Sequence, residues 1–202
     1  LLKVHFQNLI IMNRLVIISL CLMVACQGMA QTAQPSGQEP QKTISREAKK
    51  EEKRKKEEWM KQVTQSMVNN QRFVLEADYI SGKSGTLIPV NPSINFIIID
   101  SASATMQLGS ATGIGWNGLG GVTVSGSVSR YEVTRVEKKK YVAYNVLAIV
   151  FTNLGTYDIH FTVTDNGKAD ATIRSTTSGQ VNYTGTLYPP EISRVYKGYE
   201  RY

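Results

Sequence analysis

From Arg72 to Leu187 apolar residues recur at every second position, in segments joined by connections too short to hold a helix. Phe73, Leu75, Ala77 and Tyr79 alternate with Arg72, Glu76 and Asp78; Tyr157, Ile159, Phe161 and Val163 alternate as cleanly. The series closes with Ala169, Ala171 and Ile173, then Val181, Tyr183 and Leu187. Side chains of an extended chain point to opposite faces in turn, so each segment reads as a half-buried strand. The links are Lys138 to Lys140, Asn153-Leu154-Gly155, Asn166-Gly167 and Thr177-Ser178-Gly179. None can carry the crossover that a parallel pair needs, and Asn-Gly is a strong hairpin signal. The pattern predicts an all-β fold, an antiparallel meander of about eight strands.

Two details sharpen this reading. Val122, Val124 and Val128 lie on one parity, whereas Tyr131 and Val133 continue on the other, which predicts a bulge near Ser129. Tyr141 to Thr152 is apolar on both parities, Leu147, Ile149 and Phe151 against Val146 and Val150, and so is expected to be a central strand covered on both faces. Pro89 and Pro92 precede a strand within Ile94 to Asp100, followed closely by another over Ala102 to Leu108. Such a meander either closes into a barrel or splits into two sheets that cover each other; the sequence leaves both open. Pro189-Pro190 stops strand pairing, and residues 189–202 form a tyrosine-rich tail expected across an edge or the bottom of the sheet.

The chain ahead of residue 70 is of another kind. Met12 to Ala30 has a short basic start at Asn13-Arg14, an apolar run from Leu15 to Val24 and a small-residue exit, the layout of a secretory signal peptide. Residues 1–11 are taken as an over-extended start. No second apolar run long enough to span a bilayer follows, so no transmembrane segment is expected in the mature chain. Cys21 and Cys26, the two cysteines of the sequence, fall within the signal, which leaves no disulfide framework and no thiolate metal site downstream. Cleavage after Ala30 is the preferred reading; the alternative is lipidation of Cys26 within Leu22-Met23-Val24-Ala25-Cys26, giving a lipid anchor. The expected location is outside the cytoplasm, in the periplasm or at the outer membrane.

Residues 31–42 are rich in Gln, Ser, Pro and Gly and read as a disordered linker. Residues 43–69 read as one charged helix, with Glu51/Lys55, Glu52/Lys56 and Glu57/Lys61 spaced for pairing along it. Trp59, Val63 and Met67 give an apolar stripe only in its last turns, so only that end is expected to dock on the β domain, residues 70–188. The formal net charge of +7 is concentrated in this helix, where residues 42–61 hold nine Lys or Arg against five Glu. The β region is close to neutral and carries no basic face with interleaved aromatics, which argues against nucleic acid as a partner.

The segments Phe73-Val74-Leu75-Glu76-Ala77, Gly113 to Gly121, Asn153-Leu154-Gly155-Thr156-Tyr157-Asp158 and Ser193-Arg194-Val195-Tyr196 together resemble domain of unknown function family 4251, over roughly residues 70 to 197. The resemblance implies an exported, cell-envelope β domain and supplies no catalytic residue, cofactor or ligand.

Chemistry-bearing constellations are few. Gly113, Gly115 and Gly118 have G-x-G-x-x-G spacing, but Val122-Thr123-Val124 begins a strand where a dinucleotide motif would open a helix, so a nucleotide is not expected. A long glycine loop in a small domain is uncommon without a role, and Trp116 and Asn117, with Gly115 and Gly118, are its candidate ligand contacts. His160 stands two residues from Asp158 on the face opposite to Tyr157, Ile159 and Phe161, where a solvent-facing pair is the expected reading. No catalytic residues, metal site or cofactor are expected. The function expected is a non-enzymatic envelope module binding an apolar or glycan ligand in a barrel mouth or beneath the glycine loop. The alternative is a structural or interaction protein of the envelope with a filled core and a protein partner.

Overall fold

The computed structural model describes residues 41–110, 117–175 and 179–200. The signal segment, Cys26, the linker up to residue 40, Gly115 and Trp116 lie outside the described residues. Contacts divide the chain into two units, Leu1–Thr43 and Ile44–Tyr202, and the second holds the β domain.

Among the described residues one helix, α1 (Gln41–Asn69), precedes nine strands: β1 (Arg72–Ser81), β2 (Ile88–Pro89), β3 (Phe96–Asp100), β4 (Ser103–Leu108), β5 (Val122–Glu137), β6 (Val142–Thr152), β7 (Gly155–Thr164), β8 (Lys168–Ser175) and β9 (Gly179–Tyr188). All pairings are antiparallel, and β9 returns to pair with β1 from Val74↔Tyr188 to Ser81↔Asn182. The result is a closed barrel of β1 and β3 to β9, with β2 as a short extra strand on the end of β1. Closure removes the edge strands that an open meander would expose. The seam depends on Gly185, because a Cβ there would sit 1.9 Å from the Glu76 carbonyl oxygen of β1. Pro89 is tolerated in β2 because that strand pairs on one side only, with Tyr79 and Ile80.

The interior follows the alternation. Phe73, Leu75, Ile97, Ile99, Ala148, Ile159, Phe161, Ala171 and Leu187 are buried in one cluster. The Phe73 and Phe161 rings meet edge to face across the interior, with centroids 5.3 Å apart. The outer parity of β7 and β8 presents Asp158, His160, Asp170 and Arg174 to solvent, the reverse of a lipid-facing barrel. The expected bulge is present: the β5–β6 register shifts between Val128 and Arg130. The expectation of a covered central strand is corrected, since β6 buries only one parity consistently while Leu147 and Ile149 are half-buried and Phe151 is 53% exposed. In a closed barrel every strand has one face inward, so no strand is covered on both by the sheet.

The helix has 29 residues, about 40 Å at 1.5 Å per residue. Residues 46–59 are exposed, and the last turns bury Thr64, Met67 and Val68 at the barrel end formed by the start of β1, the β7–β8 turn and the close of β9. The Tyr131 hydroxyl of β5 donates to the Val68 carbonyl at 2.7 Å, and Lys61 Nζ lies 3.4 Å from Asp165 Oδ2. Of the stripe read from sequence, Met67 is buried and Val63 packs against the core, whereas Trp59 is 55% exposed; Thr64 and Val68 are buried beside them. Of the expected ion pairs Glu51–Lys55 forms at 2.9 Å, whereas Glu57 pairs with Lys53.

The tail runs along the outer wall over β1, β3, β4 and β5, not across an edge or the bottom. Ser193 Oγ and the Arg194 amide donate to Glu76 Oε1, the Tyr196 amide to the Ser93 carbonyl, and Ser125 Oγ to Glu200 Oε1. Val74 and Phe96 have outward parity yet are 2% and 0% exposed, on the stretch of wall that this strap follows.

Candidate binding site

At the end of the barrel opposite the helix, alternation on β4, β5, β7, β8 and β9 turns Met106, Leu108, Val122, Val124, Tyr157, Ile173, Val181 and Tyr183 inward. They enclose, with Ser175 and Gly179, a cavity of about 260 Å³. Below it the interior is filled by the Phe73–Phe161 pair and its neighbours, so the cavity is a closed-bottomed pocket and not a channel. Its lining is mostly aliphatic and aromatic, and among the described residues no charged side chain contributes to it.

Tyr183 fixes one wall. It is buried, and its hydroxyl donates to the Gln107 carbonyl at 3.0 Å. Burial raises its pKa well above the usual phenol range, so it stays protonated. The Gln107 side chain points the other way, beneath the tail, and is 0% exposed. Its Nε2 donates to the carbonyls of Ile94 at 3.1 Å and Tyr196 at 2.8 Å, while its Oε1 accepts from Thr123 Oγ1 at 2.9 Å and the Gly198 amide at 2.8 Å. Every polar group of this amide has a partner. One residue therefore joins the pocket wall, through its backbone, to the tail, through its side chain.

The glycine loop is held by the same network. Asn117 is 1% exposed; its Nδ2 donates to the Leu108 carbonyl and to Thr123 Oγ1, each at 3.2 Å, and its Oδ1 accepts from the amides of Leu119 and Gly121. The Asn117 side chain thus shapes the end of the loop from within. Gly118 takes a φ of 72° beneath the Tyr199 ring, where a Cβ would lie 3.3 Å from the ring edge. The loop leads directly into β5. Asp158 and His160 lie on the outer wall, opposite Arg174 and Thr172 of β8, on the face of those strands turned away from the pocket.

Wider hollows exist beside the helix, one of about 490 Å³ along Glu47 to Glu57 and one of about 520 Å³ reaching Lys140 and Asp165. The first is lined by charged side chains of the helix alone, and the second lies between helix and barrel and mixes charged side chains with Met60 and the buried Asp165; neither has the apolar lining of the barrel pocket. Among the described residues no group of His, Cys, Asp or Glu could hold a metal ion, and no helix is long and apolar enough to cross a membrane.

The pocket was legible in sequence only as core. Alternation tells that Val124 or Ile173 points inward; whether inward side chains meet across the barrel depends on its bore, which no local pattern encodes.

A family model described as Domain of unknown function (DUF4251) matches residues 52–187. No curated protein matches the chain. Among solved structures, the chain is similar to the crystal structure of a DUF4251 family protein from Bacteroides eggerthii DSM 20697. The two share 26% identity with a TM-score of 0.54, over 66% of this chain and 90% of that one.

Proposed function

The chain belongs to the DUF4251 family of domains of unknown function, and from its own geometry we propose that it is a non-enzymatic module that takes an apolar ligand into the open end of its barrel. The observation that carries this reading is the apolar cavity of about 260 Å³ above a filled floor. Apolar cavities of about 150 Å³ hold a benzene ring, and drug-sized sites begin at about 300 Å³. A single ring with a short substituent, or a short acyl chain, matches the volume. A glycan is the poorer fit, since sugar recognition needs convergent hydrogen-bonding groups, and Tyr183 spends its proton on Gln107. The signal-like segment Met12 to Ala30 supports a role outside the cytoplasm, in the periplasm or at the outer membrane.

The test uses 4-fluorobenzyl alcohol, a single ring with a short substituent, followed by the broadening and shift of its fluorine resonance on binding. Wild type is expected to bind it saturably, and Val124→Trp, which fills the cavity, to bind at least about tenfold more weakly with an unchanged circular dichroism spectrum. Val181→Phe is the second cavity-filling variant, should Val124→Trp fold poorly. Equal binding by wild type and a folded filled variant would contradict the proposal. A clean blank in solvent extracts of the purified protein, with no probe binding, would favour the structural or interaction role. The observation behind that alternative is the exposed stretch of α1 over residues 46–59, which offers a surface to a protein partner.

A further inference from the structure

Independently of the pocket, we infer that the free edge of β5 at the helix end pairs two copies of this chain, antiparallel, about a two-fold axis at Val133. The edge exists because β4 has six residues and β5 sixteen. Their ladder ends at Ser103↔Ser127, and the Val128 amide still donates to the Ala102 carbonyl at 2.8 Å. Beyond that point β5 has no strand beside it on this side, while its ladder with β6 runs on to Glu137↔Val142. Among the described residues, 129–137 are thus paired on one side only; Tyr131 and Val136 are half-buried and the other seven are exposed. Such a row of unpaired amides and carbonyls is a template for another strand. No other strand among the described residues runs as far with one side unpaired, and the extra strand β2 offers two residues, one of them Pro89 without an N–H. One such edge per copy makes an assembly that closes at two.

The side chains on that edge fit a second copy of themselves. Its charges, Arg130, Glu132, Arg135 and Glu137, cancel, and each arginine is matched by the glutamate two positions on, at 2.6 Å and 3.0 Å. Edges guarded against association carry unmatched charge, often lysine; this one turns no net charge toward an incoming strand. A two-fold axis normal to the sheet keeps each face on its own side, so a residue can lie opposite only residues of its own parity. The register that uses the whole edge sets 129 against 137. It places Val133, 36% exposed, against its own copy, Tyr131 opposite Arg135, Arg130 opposite Val136 and Glu132 opposite Thr134. No like charges face each other. The next allowed register in one direction sets Glu132 on Glu132, and in the other Arg130 on Lys138, each a destabilising cross-strand pair. Charge and length therefore select the same alignment.

The experiment is sedimentation velocity of the full processed chain over a range of concentrations, with two substitutions at the exposed Thr134, which meets Glu132 of the other copy twice, once on each side of the axis. Wild type is expected to pass from monomer to dimer as concentration rises. Thr134→Lys should tighten the dimer and Thr134→Glu should loosen it, the two dissociation constants differing by at least about tenfold. Hydrogen exchange on wild type gives a readout that needs no variant: amides of 129–137 that face away from β6 should exchange more slowly at concentrations where the dimer forms. A monomer at every concentration would overturn the inference and leave the edge to an extended segment of another protein. A dimer indifferent to the charge at 134, or one that leaves exchange over 129–137 unchanged, would overturn it too, because the contact would then lie elsewhere.

Discussion

The two ends of the barrel are made by the same strands with the same alternation, yet one is filled and rimmed by ion pairs while the other is hollow and lined mostly by apolar side chains. At the helix end Phe73 and Phe161 meet across the bore, Met67 and Val68 cap it, and the rim carries ion pairs, Arg72–Glu191 at 3.1 Å and Lys61–Asp165 at 3.4 Å. At the open end the inward residues are mostly Val, Leu, Ile and Met, no helix among the described residues covers them, and they line a cavity of about 260 Å³. Alternation decides which side chains enter a barrel. Whether they fill it depends on their reach and on what caps the end. In this molecule stability is concentrated at one end, which leaves the other available for a ligand.

The largest effects are expected where the interior is full. Phe161→Ala or Phe73→Ala should cost about 3–5 kcal/mol in urea unfolding, whereas Val124→Ala at the hollow end should cost about 1–2. The double Phe variant should be less destabilised than the sum of the single changes by about 0.5–1.5 kcal/mol, the share of the edge-to-face contact. Equal costs at the two ends would break the comparison. Next comes the strap. Gln107→Leu strips partners from Thr123, the Gly198 amide and the carbonyls of Ile94 and Tyr196, and should cost about 2–3 kcal/mol while exposing the tail to protease before the barrel unfolds. A tail that resists protease in that variant would mean that other contacts hold it.

Tyr131→Phe, which removes the hydrogen bond to Val68 at the helix end, should cost about 1 kcal/mol. Its pH dependence has a definite sign. Burial raises the folded-state pKa of Tyr131 and of Tyr183 above the ordinary value of 10.0. Their contribution is therefore complete below about pH 10 and is lost as pH rises from there toward the raised values. Stability measured against pH should fall in the alkaline limb with a shallower slope in Tyr131→Phe than in wild type; identical slopes would contradict the assignment. The smallest effect should run the other way. Thr64 Oγ1 is buried with no hydrogen-bond partner among the described residues, so Thr64→Val should raise stability by up to about 1 kcal/mol. A loss on that substitution would mean that the hydroxyl has a use at the helix–barrel contact.

Sequence carried the strands and their facing because each is a local property. The slip between Val128 and Tyr131, the hairpin at Asn166-Gly167, where Gly167 takes a φ of 83°, and the outward position of His160 all appear where alternation and turn chemistry place them. What failed or stayed open depends on distant partners. Closure needs β1 beside β9 and a Gly at 185 to let them approach, a relation across the whole domain. The apolar outer parity of β6 resembles a covered strand but faces outward, with Phe151 largely exposed. Trp59 was assigned to the docking stripe by spacing, yet the barrel end meets the helix about a turn later, at Thr64, Met67 and Val68. For the site, sequence pointed to the glycine loop. The described part of that loop turns Asn117 inward as a scaffold, and the cavity lies among residues whose pattern is indistinguishable from ordinary core.

The central claim, that the end of the barrel away from the helix holds an empty apolar pocket, is tested most directly by a crystal of the protein pressurised with xenon. Xenon should appear between Met106, Val124, Tyr157, Ile173 and Tyr183, with none in the packed half around Phe73 and Phe161. Ordered side chains filling that volume, or xenon bound only elsewhere, would contradict it.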